Sequence, residues 1–231
     1  MIRIENLTQK YGGTQILWGL DLELKKGQCS CIMGRNGVGK TTLLKCIMGL
    51  LPVSGGKIIY DGVEIQKQAA ETRAHQGIGY VPQGRDIFPL LSVEENLLIG
   101  LQSRNDGLTK IPDRIYDLFP VLKDMLERRG GDLSGGQQQQ LAIGRALVTD
   151  PKVLILDEPN EGIQPNIVQQ IGDVITELNQ EDGLTVVLVE QKLGFARRVG
   201  DSFTLIEKGA AVASGDMIDL NDDLIGKHLA V

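Results

Sequence analysis

The chain has 231 residues, 42% of them hydrophobic, and a net charge of −6 from 24 Lys/Arg against 30 Asp/Glu. That composition suits a soluble globule with a sizeable core, either one large domain or a core carrying a smaller subdomain. No apolar run approaches the ~20 residues of a membrane span, no basic run suggests a nucleic-acid groove, and the opening Met1-Ile2-Arg3-Ile4-Glu5-Asn6 lacks a signal peptide's apolar stretch, so a cytoplasmic location is expected.

Residues 2–7 and 20–24 alternate apolar and polar side chains, which predicts two half-exposed strands of an antiparallel sheet. The turn between them, Lys10-Tyr11-Gly12-Gly13, carries an aromatic. An apolar run over 29–33 then reads as a buried strand, and 42–51 as a helix with Leu43, Leu44, Ile47 and Met48 at helical spacing. Between strand and helix lies Gly34-Arg35-Asn36-Gly37-Val38-Gly39-Lys40-Thr41-Thr42, which matches the phosphate-loop pattern G-x-x-x-x-G-K-[ST] without a mismatch. The glycines let successive N–H groups turn inward on a phosphate chain, and the helix adds its positive N-terminal end. Lys40 brings a full charge to the β- and γ-phosphates, and the Thr41 hydroxyl is placed to ligate Mg²⁺. The positive balance lies in this part of the chain: residues 1–83 carry +4, 84–150 carry −2 and 151–231 carry −8. Cys29 and Cys31 share one strand face and Cys46 lies in the next helix; without metal-ligand spacing, the three read as reduced core thiols.

Further strands are expected over 57–61 and, more deeply buried, over 77–81. From Gly84 to Asp150 helical periods take over: Val93, Leu97, Leu98 and Leu101; then Ile115, Leu118, Phe119, Leu122 and Leu126; then Leu141, Ile143, Ala146 and Leu147. This stretch reads as a helical insertion, 84–150, within an α/β core formed by 1–83 and 151–231. The core resumes with two short aliphatic runs, 153–156 and 185–189, that read as buried parallel strands. An amphipathic helix from Pro165 lies between them, and a hairpin, 202–207 with 211–213, closes the chain.

The run 153–156 ends in Asp157-Glu158, at the strand end where ligands collect in open α/β sheets. In a phosphate-loop protein the first acid, Asp157, holds Mg²⁺, and Glu158 is the candidate to orient and polarise an attacking water. A third element is Leu133-Ser134-Gly135-Gly136-Gln137. Ser134 can cap the following helix, and the two glycines allow close backbone approach.

With Leu-Ser-Gly-Gly-Gln the chain resembles the ATP-binding cassette family, and the order of motifs covers nearly its whole length. The resemblance implies a phosphate-loop NTPase, RecA-like core with an N-terminal antiparallel β subdomain and an inserted helical subdomain that carries the signature. It implies ATP and Mg²⁺ as cofactors, with Tyr11 stacking on adenine, Gln83 of Tyr80-Val81-Pro82-Gln83 touching Mg²⁺ and the water, and residues 162–165 crossing to an opposite subunit. It further implies that Ser134, Gly135, Gly136 and Gln137 of one subunit close over ATP held by another, so a working site needs two ATPase subunits, identical or paralogous. The implied partners are membrane-spanning permease subunits and, indirectly, a substrate-binding protein, with no nucleic acid; the implied place is the inner face of the plasma membrane.

The family usually has a histidine after the strand at 185–189; here Val189-Glu190-Gln191 puts glutamine there. Its amide can donate to phosphate but cannot carry a proton, so Gln191 is expected to position while Glu158 carries more of the water activation. His75 and His228 fall outside that motif and are expected at the surface. Val-Glu-Gln, Gly84-Arg85-Asp86-Ile87-Phe88-Pro89 and Ala142-Ile143-Gly144-Arg145-Ala146-Leu147 are similar to an ATPase subunit of branched-chain amino acid importers. Within that group Asp157-Glu158-Pro159-Asn160-Glu161-Gly162-Ile163-Gln164-Pro165 most resembles the urea importer branch, which favours threonine where Asn160 stands. The resemblance therefore implies an ATPase that powers uptake of urea or short amides, the alternatives being a branched-chain amino acid importer or a cassette ATPase acting on nucleic acid or ribosomes.

Overall fold

In a computed structural model describing residues 1–104 and 106–229, the alternating segments form β1 (Ile2–Tyr11) and β2 (Thr14–Leu24), antiparallel partners joined at the Gly12-Gly13 turn. The apolar run becomes β3 (Cys29–Met33), buried throughout, and leads through the glycine-rich loop into α1 (Lys40–Met48). α1 begins two residues before the expected start because Gly39, at φ +107°, is the last non-helical position; Lys40 and Thr41 therefore sit in its first turn. Gly49, at φ +76°, ends it. β4 (Gly55–Tyr60) and the short β5 (Val63–Glu64) complete an antiparallel sheet ordered β2-β1-β4-β5.

After α2 (Ala70–His75), the chain enters the second sheet with β6 (Ile78–Val81). Arg73 of α2 is buried and donates to the carbonyls of Cys46 and Ile47 at the end of α1, 2.7 Å each, where helix carbonyls run short of intrahelical donors. The helical stretch contains α3 (Val93–Leu101), α4 (Asp113–Leu118), α5 (Pro120–Lys123) and α6 (Gly135–Val148). The second expected period there does not make one helix. It breaks at Phe119 (φ −133°, ψ 73°), because the residue before a proline is pushed out of the helical region.

β7 (Val153–Asp157), α7 (Pro165–Gln180), β8 (Thr185–Val189) and α8 (Leu193–Val199) follow, then the antiparallel pair β9 (Ser202–Glu207) and β10 (Ala210–Asp216), and α9 (Asp222–His228). The second sheet is ordered β10-β9-β3-β8-β7-β6, parallel from β9 through β6. Its central strands bury both faces, so their side chains alternate between two cores. Cys29, Cys31, Met33, Leu154, Leu156, Val186 and Leu188 pack with α3 to α8. Ile32, Val153, Ile155, Val187 and Val189 pack with α1 and the first sheet. The helices between 93 and 148 thus share an apolar cluster with the second sheet. Cys29, Cys31 and Cys46 are buried free thiols, as their apolar settings suggested.

His75 is exposed, whereas His228 is not the surface residue expected of it. Its side chain is 9% exposed and pairs with Glu207 at 3.0 Å, because α9 folds back on β9. Among the described residues no helix is long and apolar enough to cross a membrane.

Candidate functional site

Strand order decides the site. β3, β8 and β7 are neighbours in that sequence, so the loops leaving their C-terminal ends lie side by side with the β8 loop in the middle. The glycine-rich loop leaves β3, Asp157-Glu158 closes β7, and Glu190-Gln191 leaves β8. Gln191, 155 residues from Asn36 and 33 from Glu158, donates through Nε2 to Asn36 Oδ1 at 2.7 Å and to Glu158 Oε1 at 2.6 Å.

The loops enclose a cavity of about 720 Å³ lined by Asn36, Gly37, Gly39, Lys40, Thr41 and Thr42 on one side and Gln83, Glu158, Glu161, Glu190, Gln191 and Lys192 on the other, with Ile16 of β2 at its edge. Gly34 lies beneath: a Cβ there would come within 2.4 Å of the Ile206 carbonyl, so only glycine lets the loop pass. Val38 packs inward against the α1 core, and Arg35, Asn36 and Gly37 are exposed. Lys40 turns back over the loop, donating to the carbonyls of Gly34 and Arg35 at 2.9 Å each, with Glu158 Oε1 3.8 Å away. Burial pulls the Lys40 ammonium below the usual lysine range, against the opposing pull of Glu158 and Asp157.

Asp157 and Glu158 diverge although adjacent. Glu158 adopts φ +48°, a left-handed conformation uncommon for a side chain of its kind, and its N–H bonds the Val189 carbonyl at 2.9 Å. That turn aims Glu158 at Lys40 and Gln191 and leaves Asp157 inside. Asp157 is 1% exposed, and neither carboxylate oxygen has a hydrogen-bond partner among the described residues. Burial pushes its carboxyl up, partly offset by the Thr41 hydroxyl beside it. An unpaired buried carboxylate next to a hydroxyl oxygen is a hard-oxygen donor set. Those residues fit Mg²⁺.

Gln83 follows β6 at the same edge, with Nε2 on Glu161 Oε2 at 2.9 Å. The loop after it takes left-handed φ at Gly84, Arg85 and Asp86, and Arg85 reaches both the Glu161 carbonyl (3.3 Å) and Gln138 of α6 (3.2 Å). Ser134 caps α6 as expected: its hydroxyl accepts from the Gln137 N–H and its own N–H is bonded by the Gln137 side chain. Gly136 is packed so that a Cβ would lie 2.9 Å from Ile167 of α7.

Not all of the expected residues meet. Ser134, Gly135, Gly136 and Gln137 line no part of the cavity, and Ser134 is exposed. Tyr11, 46% exposed at the β1–β2 turn, is not among the lining residues either; Ile16, further along the hairpin, is. Glu190, Asn160, Glu161, Lys192, Arg85 and Ile16 carried no role in the sequence. For Glu190 a signal existed: like Asp157, it is an acid directly after four consecutive aliphatic residues, here Val186 to Val189.

Residues 17–161 match the family model described as ABC transporter. The chain is 41% identical over 214 residues to the high-affinity branched-chain amino acid transport ATP-binding protein BraG of Pseudomonas aeruginosa, covering 92% of this chain and 91% of the relative. It is 37% identical to a probable branched-chain amino acid transport ATP-binding protein, LivF, of Archaeoglobus fulgidus, covering 95% and 94%. Among solved structures, an ATP-binding cassette in a dimeric post-hydrolysis state with ADP and Pi superposes with a TM-score of 0.84 at 27% identity, covering 94% of this chain and 99% of the other.

Proposed function

Because the chain belongs to the ABC transporter family and is the ATP-hydrolysing subunit of an importer, we propose that it drives uptake of urea or short amides from the cytoplasmic face of a membrane complex. The observation that carries the ATPase site is the convergence of the phosphate loop, Glu158 and Gln191 on one cavity, with Asp157 buried beside Thr41. Support for the solute is the stretch from Asp157 to Pro165, close to the urea branch apart from Asn160. The second reading, a branched-chain amino acid, is favoured by the names of the two relatives. A nucleic-acid or ribosome partner fits poorly with residues 151–231, which carry −8.

In this reading the N–H groups of the loop from Gly34 to Gly39 and the start of α1 cradle the phosphates, and Lys40 leaves its own loop carbonyls to meet the β- and γ-phosphates. Thr41, Asp157 and Gln83 would hold Mg²⁺, which when bound neutralises charge on the β- and γ-oxygens. Glu158 orients and polarises the water, and Gln191 fixes Glu158 with one amide N–H while the other leaves Asn36 for the γ-phosphate. Tyr11 contributes an aromatic face for adenine. The N-terminal end of α6, Ser134 to Gln137, with Ser134 exposed, closes over nucleotide bound to a second subunit, identical or paralogous, and residues 84–150 move with it. Permease subunits, and through them a substrate-binding protein, complete the assembly. Cells with and without this subunit, given labelled urea, leucine and short amides, test the solute: uptake of urea lost with the subunit is expected, and loss of leucine uptake alone would replace urea by the second reading.

A further inference from the structure

Glu190 is a buried carboxylate, 3% exposed, with no role in the reading above. Its Oε1 accepts the N–H groups of Gln191 (2.8 Å) and Lys192 (2.9 Å), and its Oε2 accepts the Asn160 side-chain amide at 2.7 Å. Lys192 Nζ in turn donates to the Asn160 carbonyl at 3.1 Å, closing a ring between the loops after β7 and β8. Burying a charged carboxylate is unfavourable unless it is fully hydrogen-bonded, and here three N–H donors do that.

Asn160 is 1% exposed, and its Oδ1 has no hydrogen-bond partner among the described residues. Turning the amide over would set that oxygen against the Glu190 carboxylate, so only the donor half can face it. An unpaired buried acceptor opposes folding. Asn160 is therefore placed for its donor.

The ring stands between two parts of the site. On one side the backbone it fixes carries Gln191, whose amide is on Glu158. A glutamine side chain gives up rotamer freedom when held in one geometry, so a fixed backbone beneath it matters. On the other side Asn160 begins the segment running through Glu161 to Gln164 into α7. We propose that Glu190 and Asn160 are a positioning pair: they set the residue-191 backbone so that Gln191 holds Glu158, and tie that setting to the segment facing the second subunit. The inference rests on the reading of Gln191 and Glu158 as site groups.

The test is Mg·ATP turnover by the full chain with its companion subunits, measuring kcat and KM separately, with ATP binding and thermal unfolding alongside. Asn160→Asp keeps the shape and removes the donor. Glu190→Gln sets an NH₂ either against the Asn160 NH₂ or against the two backbone N–H groups. Each is expected to lower kcat roughly ten-fold or more with KM little changed, as displaced catalytic groups do. The double variant is expected to be no worse than the weaker single, since both break one unit. Asn160→Thr, which restores a donor, is expected to recover most of kcat, and it serves as the readout should Asn160→Asp unfold. If Gln191→Ala lowers kcat while Asn160→Asp and Glu190→Gln do not, or if they raise KM alone, the pair has no positioning role. If Gln191→Ala leaves kcat unchanged, the role given to Gln191 fails, and this pair's with it.

Discussion

At the scale of single residues, two adjacent acids reach opposite conditions through one backbone angle. The left-handed φ of Glu158 points it into the cavity toward Lys40 and Gln191, while strand β7 delivers Asp157 to the interior, beside the Thr41 hydroxyl but with no hydrogen-bond partner in reach of either oxygen among the described residues. A buried carboxylate without a partner opposes folding, and replacing it by a neutral group of the same shape removes that strain. Asp157→Asn is therefore expected to melt higher than the wild type in the absence of Mg²⁺, by about 2–4 °C for each kcal/mol gained. The same variant should lose the added stabilisation that Mg·ATP gives through linked binding. Calorimetry with and without Mg·ATP checks both, and a lower melting temperature in the metal-free state would mean that Asp157 has a stabilising partner.

At the scale of elements, the ends of helices carry the chemistry. α1 starts in the phosphate loop with no acidic residue in its first turn, so its N–H groups face the cavity unopposed by a local carboxylate. α6 starts at Ser134 with a reciprocal cap, packed through Gly136 on Ile167 of α7 and touched by Arg85 from the loop after β6. Ser134→Ala removes one half of that cap and is expected to reduce stability by about 1 kcal/mol. Its effect on function should be of a different kind. Nucleotide binding by the isolated chain should stay within about two-fold, since Ser134 lies outside the cavity, while turnover in the assembled complex falls well beyond what 1 kcal/mol represents, roughly five-fold. Binding by equilibrium titration and turnover in the complex separate the two; a parallel fall in both would place Ser134 in the chain's own nucleotide site.

At the scale of the whole molecule, the proposed site is divided. One edge of the second sheet gathers the phosphate loop, the acids and Gln191, and the capped end of α6 stays outside that cavity. A fold that leaves such a helix end exposed fits a partner that supplies the missing ligand. Removing the carboxylate of Glu158 should stop turnover by a factor on the order of 10²–10⁴ while leaving ATP bound. Glu158→Gln with Mg·ATP is therefore expected to double in mass by light scattering, alone or once the companion ATPase subunit is added, and to remain monomeric with ADP. A monomer under every one of these conditions would refute the shared site.

Much of this was legible from residue order alone. Alternation in 2–7, which slips once between Ile4 and Leu7, largely apolar runs at 29–33, 153–156 and 185–189, and the motif from Gly34 to Thr42 are local patterns, and local patterns follow from backbone geometry and burial. The position of the helix break at Phe119 was equally local, because Pro120 dictates it, although the apolar period ran across it. What no local pattern contained was the order β9-β3-β8-β7 in the sheet, which sets Gln191 between Asn36 and Glu158 and joins Asn160 to Glu190 across 30 residues. Side chains far apart in sequence become neighbours only through strand pairing and the packing of both sheet faces, and those depend on the whole chain at once.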